Sequence, residues 1–282
     1  MYKSGIGVTE ICRTVPSLNT RKPQTLYPLL IKQGLYKKKP ADDIRRYSVN
    51  DDYFENIDDE HKAYWVGFMI ADGFLVNSGH SKESFGLNLK TDDIEAVQAF
   101  KKDLEATYPI HTYTDVSTFD GIEYVCSMSK IVMKSKKIFH DLMSLGFTLK
   151  KSYEAKLPLN KIPDHLVRHL IRGYFDGDGS LSKSGDKKWH TYDLKFTGTK
   201  EVMEQIRHIL SKDNVKLSDR YPERDNNNRS LNLCGDEQVY RICKWMYDGA
   251  TIFLKRKHDR YLQLKRKYTK NSRPGSDAGD YE

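Results

Sequence analysis

HKAYWVGFMIADGFL (residues 61–75) and VRHLIRGYFDGDGSL (residues 167–181) are two versions of one sequence pattern. They align without gaps at an offset of 106 residues and share two glycine positions, Gly67/Gly173 and Gly73/Gly179, and one aspartate position, Asp72/Asp178. A shorter echo follows each motif, in which LKK at residues 149–151 matches LKR at residues 254–256. Repeats separated by about the length of a small domain indicate that the chain holds two copies of one folding unit.

The segments that follow the two motifs repeat one order of predicted secondary structure. Strand-like and helix-like spacings of apolar residues, with acidic residues in the first turns of the helices, indicate the elements. The first copy comprises a helix ending near Asp72, strands at 74–76 and 84–90, a helix at 91–107, strands at 110–116 and 123–128, and a helix at 135–147. The second copy comprises a helix beginning at Pro163, strands at 181–183 and 192–197, a helix at 199–214, strands at 215–221 and 230–234, and a helix at 236–249.

The composition is that of a globular protein with a solvated, basic surface. The 282 residues are 38% hydrophobic and 30% charged, with a mean hydropathy of -0.70. No segment approaches the roughly 18 apolar residues that span a bilayer, and the N-terminus has no apolar run of signal-peptide length. The four cysteines form no CxxC pair. We therefore expect a protein that is not secreted and not bound to membranes, in the reducing cytosol of a cell, an organelle or a phage host.

The net charge of +8, with a pI near 9.0, admits two interpretations. One is an ordinary solvated surface, which many soluble proteins have. The other is a polyanionic partner, because lysine and arginine neutralise phosphates and release their counterions. Charge alone does not decide between the two.

Residues 1–47 differ from the repeated part of the chain. Two short helical patches, residues 8–15 and 23–33, are separated by a turn and predict a small helix-turn-helix-like module. Basic residues flank the second patch and are candidate DNA contacts: Arg21, Lys22, Lys37 and Lys38. The alternative is a helical hairpin that only packs against the main domain.

These patterns predict the limits of the domains. The N-terminal module covers residues 1–47 and a linker covers residues 48–60. The first repeated half is expected at residues 61–158 and the second at residues 159–268. Residues 269–282 are polar and are expected to be a disordered tail.

Small residues recur four apart along both motif helices, and residues with this spacing share one helix face. They are Ala63, Gly67 and Ala71 in the first motif, and Gly173 and Gly177 in the second. Small side chains let two helix backbones approach closely. Such an approach would bring the C-terminal ends of the helices together, and each end carries an aspartate, Asp72 or Asp178.

WVGFMIADG (residues 65–73) and IRGYFDGDG (residues 171–179) resemble the two nine-residue signatures of double-motif LAGLIDADG homing endonucleases. The resemblance covers roughly residues 61–265. It implies an α+β fold of two pseudo-symmetric αββαββα halves with saddle-shaped antiparallel sheets, to which the N-terminal helical module is added. It also implies a monomer, since one chain supplies both motifs.

The resemblance implies a site-specific endonuclease that hydrolyses double-stranded DNA with a divalent metal and leaves short 3′ overhangs. Asp72 and Asp178 occupy the motif position that binds metal in the family, with main-chain support from Ala71 and Gly177. Paired carboxylates suit Mg²⁺ or Mn²⁺, which bind one or two carboxylates together with water and phosphate oxygens. Lys90 and Lys195 are candidates for a catalytic role, because a lysine or glutamine near such a strand end often acts in the family. The alternative for both is a lysine that contacts phosphate or is merely solvated.

The sheets of the family bind the DNA major groove, where a β surface can reach the base edges. Outside the N-terminal module, the candidate DNA contacts are Asn88, Lys130, Arg220, Arg224, Lys255 and Arg256. Two other functions use the same fold: an RNA-binding maturase, and a transcription regulator that binds DNA through the N-terminal module. Retention of both motif aspartates favours the endonuclease.

Three other interpretations of the motifs compete with the metal site. A calcium loop starting at Asp176 would need glycine and glutamate where Leu181 and Lys187 stand, and is rejected. The aspartates could be ordinary helix ends, but aspartate is unfavourable at a helix C-terminus and here it occurs twice. The aromatic residues of the motifs are expected in the core rather than in a base-stacking platform. Asp176, at the sixth motif position where the first motif has Ile70, is expected to have a structural role.

Overall fold

The computed structural model describes residues 14, 26–35, 46–78, 83–149, 154–185, 190–211, 218–220 and 227–271. The chain forms two compact units, residues 1–47 and residues 48–282. Within the described residues, no helix is both long and apolar enough to cross a lipid bilayer.

The first unit has one described helix, α1 (Tyr27–Lys32), which has no buried residue. It is shorter than the predicted helix at residues 23–33, and the turn after it reaches Gly34 at φ +67°. Of the predicted helix at residues 8–15 only Thr14 is described, and it is helical. The helix-turn-helix module is therefore not confirmed.

The second unit repeats one order of elements. The first copy comprises α2 (Glu60–Asp72), β1 (Gly73–Val76), β2 (Ser84–Lys90), α3 (Ile94–Asp103), β3 (Ile110–Phe119), β4 (Ile122–Lys134) and α4 (Lys136–Ser144). The second comprises α5 (Val167–Asp178), β5 (Gly179–Gly185), β6 (His190–Thr199), α6 (Lys200–Ser211), β7 (Ser218–Arg220), β8 (Asn228–Cys234) and α7 (Asp236–Tyr247). A last helix, α8 (Lys255–Asn271), follows.

Each copy builds one antiparallel four-stranded sheet, and the two sheets have the same topology. Their strand orders are β1-β2-β4-β3 and β5-β6-β8-β7. Two matching sheets with helices in the predicted order confirm the α+β fold inferred from the repeated motif.

One face of each sheet packs against helices. In the first sheet the register partners Leu87 and Ile131 lie on this face and are fully buried. In the second sheet Phe196 and Leu231 are the corresponding pair. Because side chains alternate along a strand, the intervening residues form the opposite, outer face of each sheet.

Helices α2 and α5 pack against each other at the centre of the unit. All nine residues of α2 from Ala63 to Ala71 are buried, as expected of a helix with neighbours on every side. Asp59 caps the start of α2 by accepting a hydrogen bond from the Lys62 amide at 2.9 Å.

A charge pair between a fully buried arginine and a partly exposed glutamate joins the N-terminal part of α2 to α5. The fully buried Arg172 guanidinium donates to the Glu60 carboxylate at 2.7 Å and to the Met246 and Ile252 carbonyls at 2.8 and 3.0 Å. Glu60 also accepts from the Thr251 amide at 2.8 Å. With all these partners in place, breaking the pair would leave an uncompensated buried charge.

Arg172 also constrains His169, which is 6% exposed and lies 2.8 Å from the guanidinium through its Nδ1. Guanidinium is only a donor, so Nδ1 must be an acceptor and the ring must be neutral. Burial, and then the charge of Arg172, lower the pKa of His169 to about 4.

The contribution of His169 to the free energy of unfolding is therefore expected to fall by about 2 kcal/mol as the pH is lowered from 6.5 to 4. In this window the unfolded chain binds a proton at His169 and the folded chain does not, so protons favour unfolding. Urea denaturation of the wild type and His169→Gln at several pH values isolates this contribution. Parallel stability profiles of the two proteins would contradict it.

Within the second unit, the largest departures from the sequence prediction are in three places. Strands β3 and β4 are longer than predicted, because their ladder continues to a turn at Asp120 and Gly121. Residues 48–60, expected as a linker, place Tyr53 and Phe54 in the core, and the last of them, Glu60, begins α2. Helix α8 was not predicted, and it extends through Asn271 into the segment expected to be disordered, whose residues 272–282 lie outside the described part.

Candidate active site

Glycines allow the backbones of α2 and α5 to touch. A Cβ atom on Gly67 would overlap the Leu170 carbonyl and lie 2.8 Å from the Tyr174 amide. One on Gly173 would overlap the Tyr64 carbonyl. Since the obstructing atoms are main chain on the facing helix, no rotamer change could make room.

The same close approach continues to the C-terminal ends of the helices. A Cβ atom on Gly177 would overlap the Ala71 methyl group and lie 3.4 Å from the Asp72 amide. The end of α5 thus lies directly against the end of α2. The two small-residue faces bring together the residues that precede Asp178 and Asp72.

Both helices end by turning straight into the first strand of their sheets. Gly73 and Gly179 have extended backbone angles, with φ -71° and -98°. Their role is to provide space: a Cβ atom would lie 2.6 Å from the Met69 carbonyl in the first half and 2.5 Å from the Phe175 carbonyl in the second. This tight turn fixes where each aspartate leaves the helix.

Asp72 is half-buried and Asp178 is exposed. The negative charges of both aspartates shift the pKa values of two other side chains, those of Tyr174 and Lys257. Tyr174, whose hydroxyl donates to the Thr197 carbonyl at 2.7 Å, has its pKa raised by burial and then by Asp178 and Asp72. The negative charges of Asp72 and Asp178 also both act to raise the pKa of Lys257. The two aspartates therefore share one region at the junction of the halves.

Asp176 is a fully buried acceptor at the end of α5. Its carboxylate accepts from the Tyr64 hydroxyl at 3.0 Å, the Tyr247 hydroxyl at 2.5 Å and the Leu254 amide at 2.7 Å. Burial raises the pKa of Asp176. Asp176 therefore has a structural role, as expected. Its carboxylate links both motif helices to α7 and to the segment before α8.

Asp176→Ala is expected to lower the free energy of unfolding by about 3–5 kcal/mol, because it leaves two buried hydroxyls and a buried amide without their acceptor. Asp176→Asn keeps an acceptor oxygen and should lose clearly less. Urea denaturation of both variants measures the difference. Equal and small losses would contradict a structural role for this carboxylate.

Lys257 is the site residue that the sequence did not single out. It lies on α8, is 2% exposed, and donates to the carbonyls of Phe175, Asp176 and Gly179 at 2.6, 2.7 and 2.6 Å. The Gly177 carbonyl is 3.3 Å away. These contacts bracket Asp178 in the chain and fix the backbone around it.

The environment of Lys257 has opposing electrostatic effects. Burial lowers the pKa of Lys257 to about 8, while the carboxylate of Asp176 opposes the shift. The repeat carried no signal for Lys257, because the LKK and LKR echo has an offset of 105 residues and pairs Lys257 with Ser152.

Lys90 and Lys195 do not occupy equivalent places. Lys90 is the last residue of β2 and is exposed, whereas Lys195 is exposed in the middle of β6. The strand β1 residue Gly73 pairs with Leu87, and its counterpart Gly179 pairs with Phe196. By this register Lys195 corresponds to Gly86, and the counterpart of Lys90 is Thr199.

The candidate DNA contacts lie on different surfaces. Asn88 and Lys130 are register partners on the outer face of the first sheet. Arg256 donates to Asp93 at 3.0 Å, and Lys255 to Asp259 at 2.9 Å, so both cations have partners on the protein.

The remaining candidates are only partly located. Arg220 ends β7 and pairs with Ser230. The others lie outside the described residues: Arg21, Lys22, Lys37, Lys38 and Arg224.

Among the described residues, no group of three or more histidine, cysteine, aspartate or glutamate side chains is placed to hold a metal ion. Asp72 and Asp178 stand at the adjoining helix ends, while the carboxylate of the buried Asp176 accepts hydrogen bonds from protein donors. Nearby carbonyls are those of Ala71 and Gly177, of which the second is shared with Lys257.

Comparison with known proteins identifies part of the chain. Residues 165–245 match the model of the LAGLIDADG-like domain family. The replication factor C small subunit of Methanocaldococcus jannaschii is 25% identical over 218 residues, which are 74% of this chain. The chain spans only 11% of the length of that protein.

Several solved structures are similar in fold. The homing endonuclease I-WcaI bound to its DNA recognition sequence is 16% identical with a TM-score of 0.49, over 73% of this chain and 90% of its own. The meganuclease I-SmaMI bound to uncleavable DNA is 10% identical with a TM-score of 0.48, over 72% and 88%. DUF199/WhiA from Thermatoga maritima is 14% identical with a TM-score of 0.44, over 80% and 67%.

Proposed function

We propose that this chain, whose residues 165–245 match the model of the LAGLIDADG-like domain family, is a site-specific endonuclease of double-stranded DNA. It hydrolyses one phosphodiester in each strand and leaves short 3′ overhangs. One observation carries the proposal: Asp72 and Asp178 lie at the adjoining ends of a buried helix pair that joins two sheets of identical topology. One carboxylate from each half suits a substrate with two strands.

The donors at this junction fit a Mg²⁺ or Mn²⁺ ion. Two carboxylates with few other protein ligands leave room for water and phosphate oxygens, which is how these ions bind. The chemistry that such an ion supplies when bound is activation of a water molecule and stabilisation of charge on the phosphate oxygens. The carbonyls of Ala71 and Gly177 would support the carboxylates of Asp72 and Asp178.

Residues of the chain position these carboxylates. The glycine contacts of α2 and α5 set how far apart the two helix ends lie, and Lys257 fixes the backbone on both sides of Asp178. Its ammonium also places a positive charge near both carboxylates. Lys90 and Lys195, exposed on the sheets that carry the site, would contact the scissile phosphate or its neighbours.

The outer faces of the two sheets form the DNA surface. Asn88 and Lys130 lie together on the first sheet, and Lys195 pairs with Asn232 on the second. Amide groups suit base edges and lysines suit phosphates. Arg220 and Arg224 would add phosphate contacts, while Lys255 and Arg256 would exchange their acidic partners for phosphates.

The proposal is tested by incubating the protein and Mg²⁺ with a pool of long duplexes and sequencing the ends produced. Breaks at one extended sequence, each with a short 3′ overhang, support it. Absence of breaks, or breaks without sequence preference, would contradict it. The protein should be a monomer by light scattering, because one chain supplies both carboxylates.

Residues 1–47 are proposed to bind DNA beside the cleavage site. Their deletion should shorten the footprint and lower the salt dependence of binding, by nearly one unit of slope for each phosphate that the protein no longer neutralises. Cleavage at high protein concentration should persist, since both aspartates lie outside the deleted segment. Footprinting and binding at several salt concentrations measure this. Identical footprints and slopes would show that the segment only packs.

A further inference from the structure

A small acidic pocket lies at the N-terminal end of α2, at the other end of the helix from Asp72. Its volume is about 320 Å³. It is lined by Tyr53, Asp59, Glu60, His61 and Asp103. Most of these residues come from the segment 51–60, which has six acidic residues and no lysine or arginine in a chain of net charge +8. The proposed function makes no use of this pocket.

The hydroxyl of Tyr53 is a buried polar group in the wall of the pocket. The residue is 7% exposed, and its hydroxyl has no hydrogen-bond partner among the described residues. Burial, and then the charges of Asp103 and Asp59, raise the pKa of Tyr53. The hydroxyl therefore lies near both carboxylates without donating to either. Because an unsatisfied buried hydroxyl is destabilising, its place in a polar pocket points to a ligand that bonds to it.

Two carboxylates of the pocket can accept further hydrogen bonds. Asp59 accepts from the Lys62 amide through Oδ1 at 2.9 Å. Asp103 accepts from the Trp65 indole and the His61 ring through Oδ2, both at 2.7 Å. The second oxygen of each carboxylate accepts no hydrogen bond within the described part of the chain. Together with the tyrosine hydroxyl, these two oxygens provide three acceptors.

Two basic side chains beside the pocket already have acidic partners. Arg172 is paired with Glu60 at 2.7 Å. The ammonium of Lys62 lies 6.0 Å from the centre of the Tyr53 ring and is paired with Asp58 at 2.7 Å. These pairs neutralise Glu60 and Asp58 but not the other two carboxylates of the pocket.

The contacts of His61 are satisfied by a neutral ring. Its Nδ1 can donate to Asp103, while its Nε2 accepts from the Thr251 hydroxyl at 3.0 Å. A neutral imidazole leaves the charge of Asp103 uncompensated, as is the charge of Asp59. The pocket thus presents two negative charges and a hydroxyl.

We propose that this pocket binds an alkyl diamine, with one ammonium group bound by the Tyr53 hydroxyl and the carboxylates of Asp59 and Asp103. An ammonium group has three donors, which match the three acceptors. The volume far exceeds the roughly 30 Å³ of a water molecule and leaves room for a methylene chain. A divalent metal ion would carry the same charge, but no three acidic, histidine or cysteine side chains of the described residues are placed to hold one. The inference does not depend on the proposed function.

The test is calorimetric titration of the full chain with 1,4-diaminobutane, without DNA or divalent metal, and with 1,4-butanediol as the uncharged ligand of equal length. The wild type should bind the diamine and not the diol. Asp59→Asn should weaken diamine binding at least about tenfold, the lower range for a hydrogen bond to a charged group. Asparagine also caps helices, so α2 should persist. Asp58→Asn, the matched control, removes the same charge from a neighbouring side chain that is 66% exposed, and should bind like the wild type.

Tyr53→Phe separates ligand binding from folding. It should weaken diamine binding at least about tenfold. Its stability without the diamine should be unchanged or raised, because the variant lacks the unsatisfied hydroxyl. Urea denaturation measures this second quantity. The Asp72→Asn/Asp178→Asn variant should bind the diamine like the wild type, since α2 has 13 residues and separates the two sites by about 20 Å.

Absence of diamine binding by the wild type would overturn the inference. Equal affinity of the wild type, Asp59→Asn and Tyr53→Phe would also do so, as would equal losses in Asp58→Asn and Asp59→Asn, because general attraction to an acidic surface would then explain the binding. A Tyr53→Phe protein that is destabilised without the diamine would show that the hydroxyl serves the fold. Each of these results leaves the proposed function to be decided by the cleavage assay.

Discussion

Asp178→Asn is expected to reduce DNA cleavage by at least about 100-fold while DNA binding is retained, and Asp72→Asn is expected to do the same. An amide is a much weaker ligand of a divalent ion than a carboxylate of the same shape. The substitution therefore removes the proposed metal site without removing bulk. The side chains lie at the helix ends rather than on the strands that would contact bases, so affinity should change little.

The measurement pairs a nuclease assay with a gel shift on the same duplex. Asp164→Asn, at an exposed position before α5 rather than at its end, is the matched control and should cleave like the wild type. Full cutting of both strands by either single variant would refute the assignment.

Gly173→Ala is expected to destabilise the protein by about 3 kcal/mol or more, and Gly67→Ala similarly. At an unhindered helical position this substitution raises stability by about 0.5–1 kcal/mol. Here the added methyl group would overlap the Tyr64 carbonyl in one case and the Leu170 carbonyl in the other. The substitution is thus expected to lower the stability of the protein, whereas helix propensity alone would raise it.

Urea denaturation of the two variants decides the matter, with circular dichroism to establish that each variant still folds. A variant too unstable to purify agrees with the close approach of the helices. Unchanged or raised stability in both alanine variants would contradict the packing of α2 against α5.

The repeated halves were predictable because their signals are local. Apolar periodicity and small residues at helical spacing mark the motif helices, and the buried run Ala63–Ala71 follows from them. The longer β3–β4 ladder was also predictable, since Asp120–Gly121 between two strand-like runs is a strong hairpin signal. Both residues have positive φ, at +50° and +77°, as that turn requires.

Other parts of the site depend on tertiary contacts and could not be predicted. Helix α8 is rich in lysine and arginine, so its charge obscures the few apolar residues, such as Tyr261 and Leu264, that hold it in the core. Lys257 is identified only when its ammonium is seen against the carbonyls around Asp178. The register that separates Lys195 from Lys90 likewise depends on strand pairing.

The most direct test uses a plasmid that carries a single copy of the sequence selected from the duplex pool. With Mg²⁺, the wild-type protein should convert it to one linear product, and sequencing should place the cuts a few base pairs apart with 3′ overhangs. Without a divalent ion, or with the Asp72→Asn/Asp178→Asn double variant, the plasmid should remain supercoiled. Linear product from the double variant, or none from the wild type, would contradict the account.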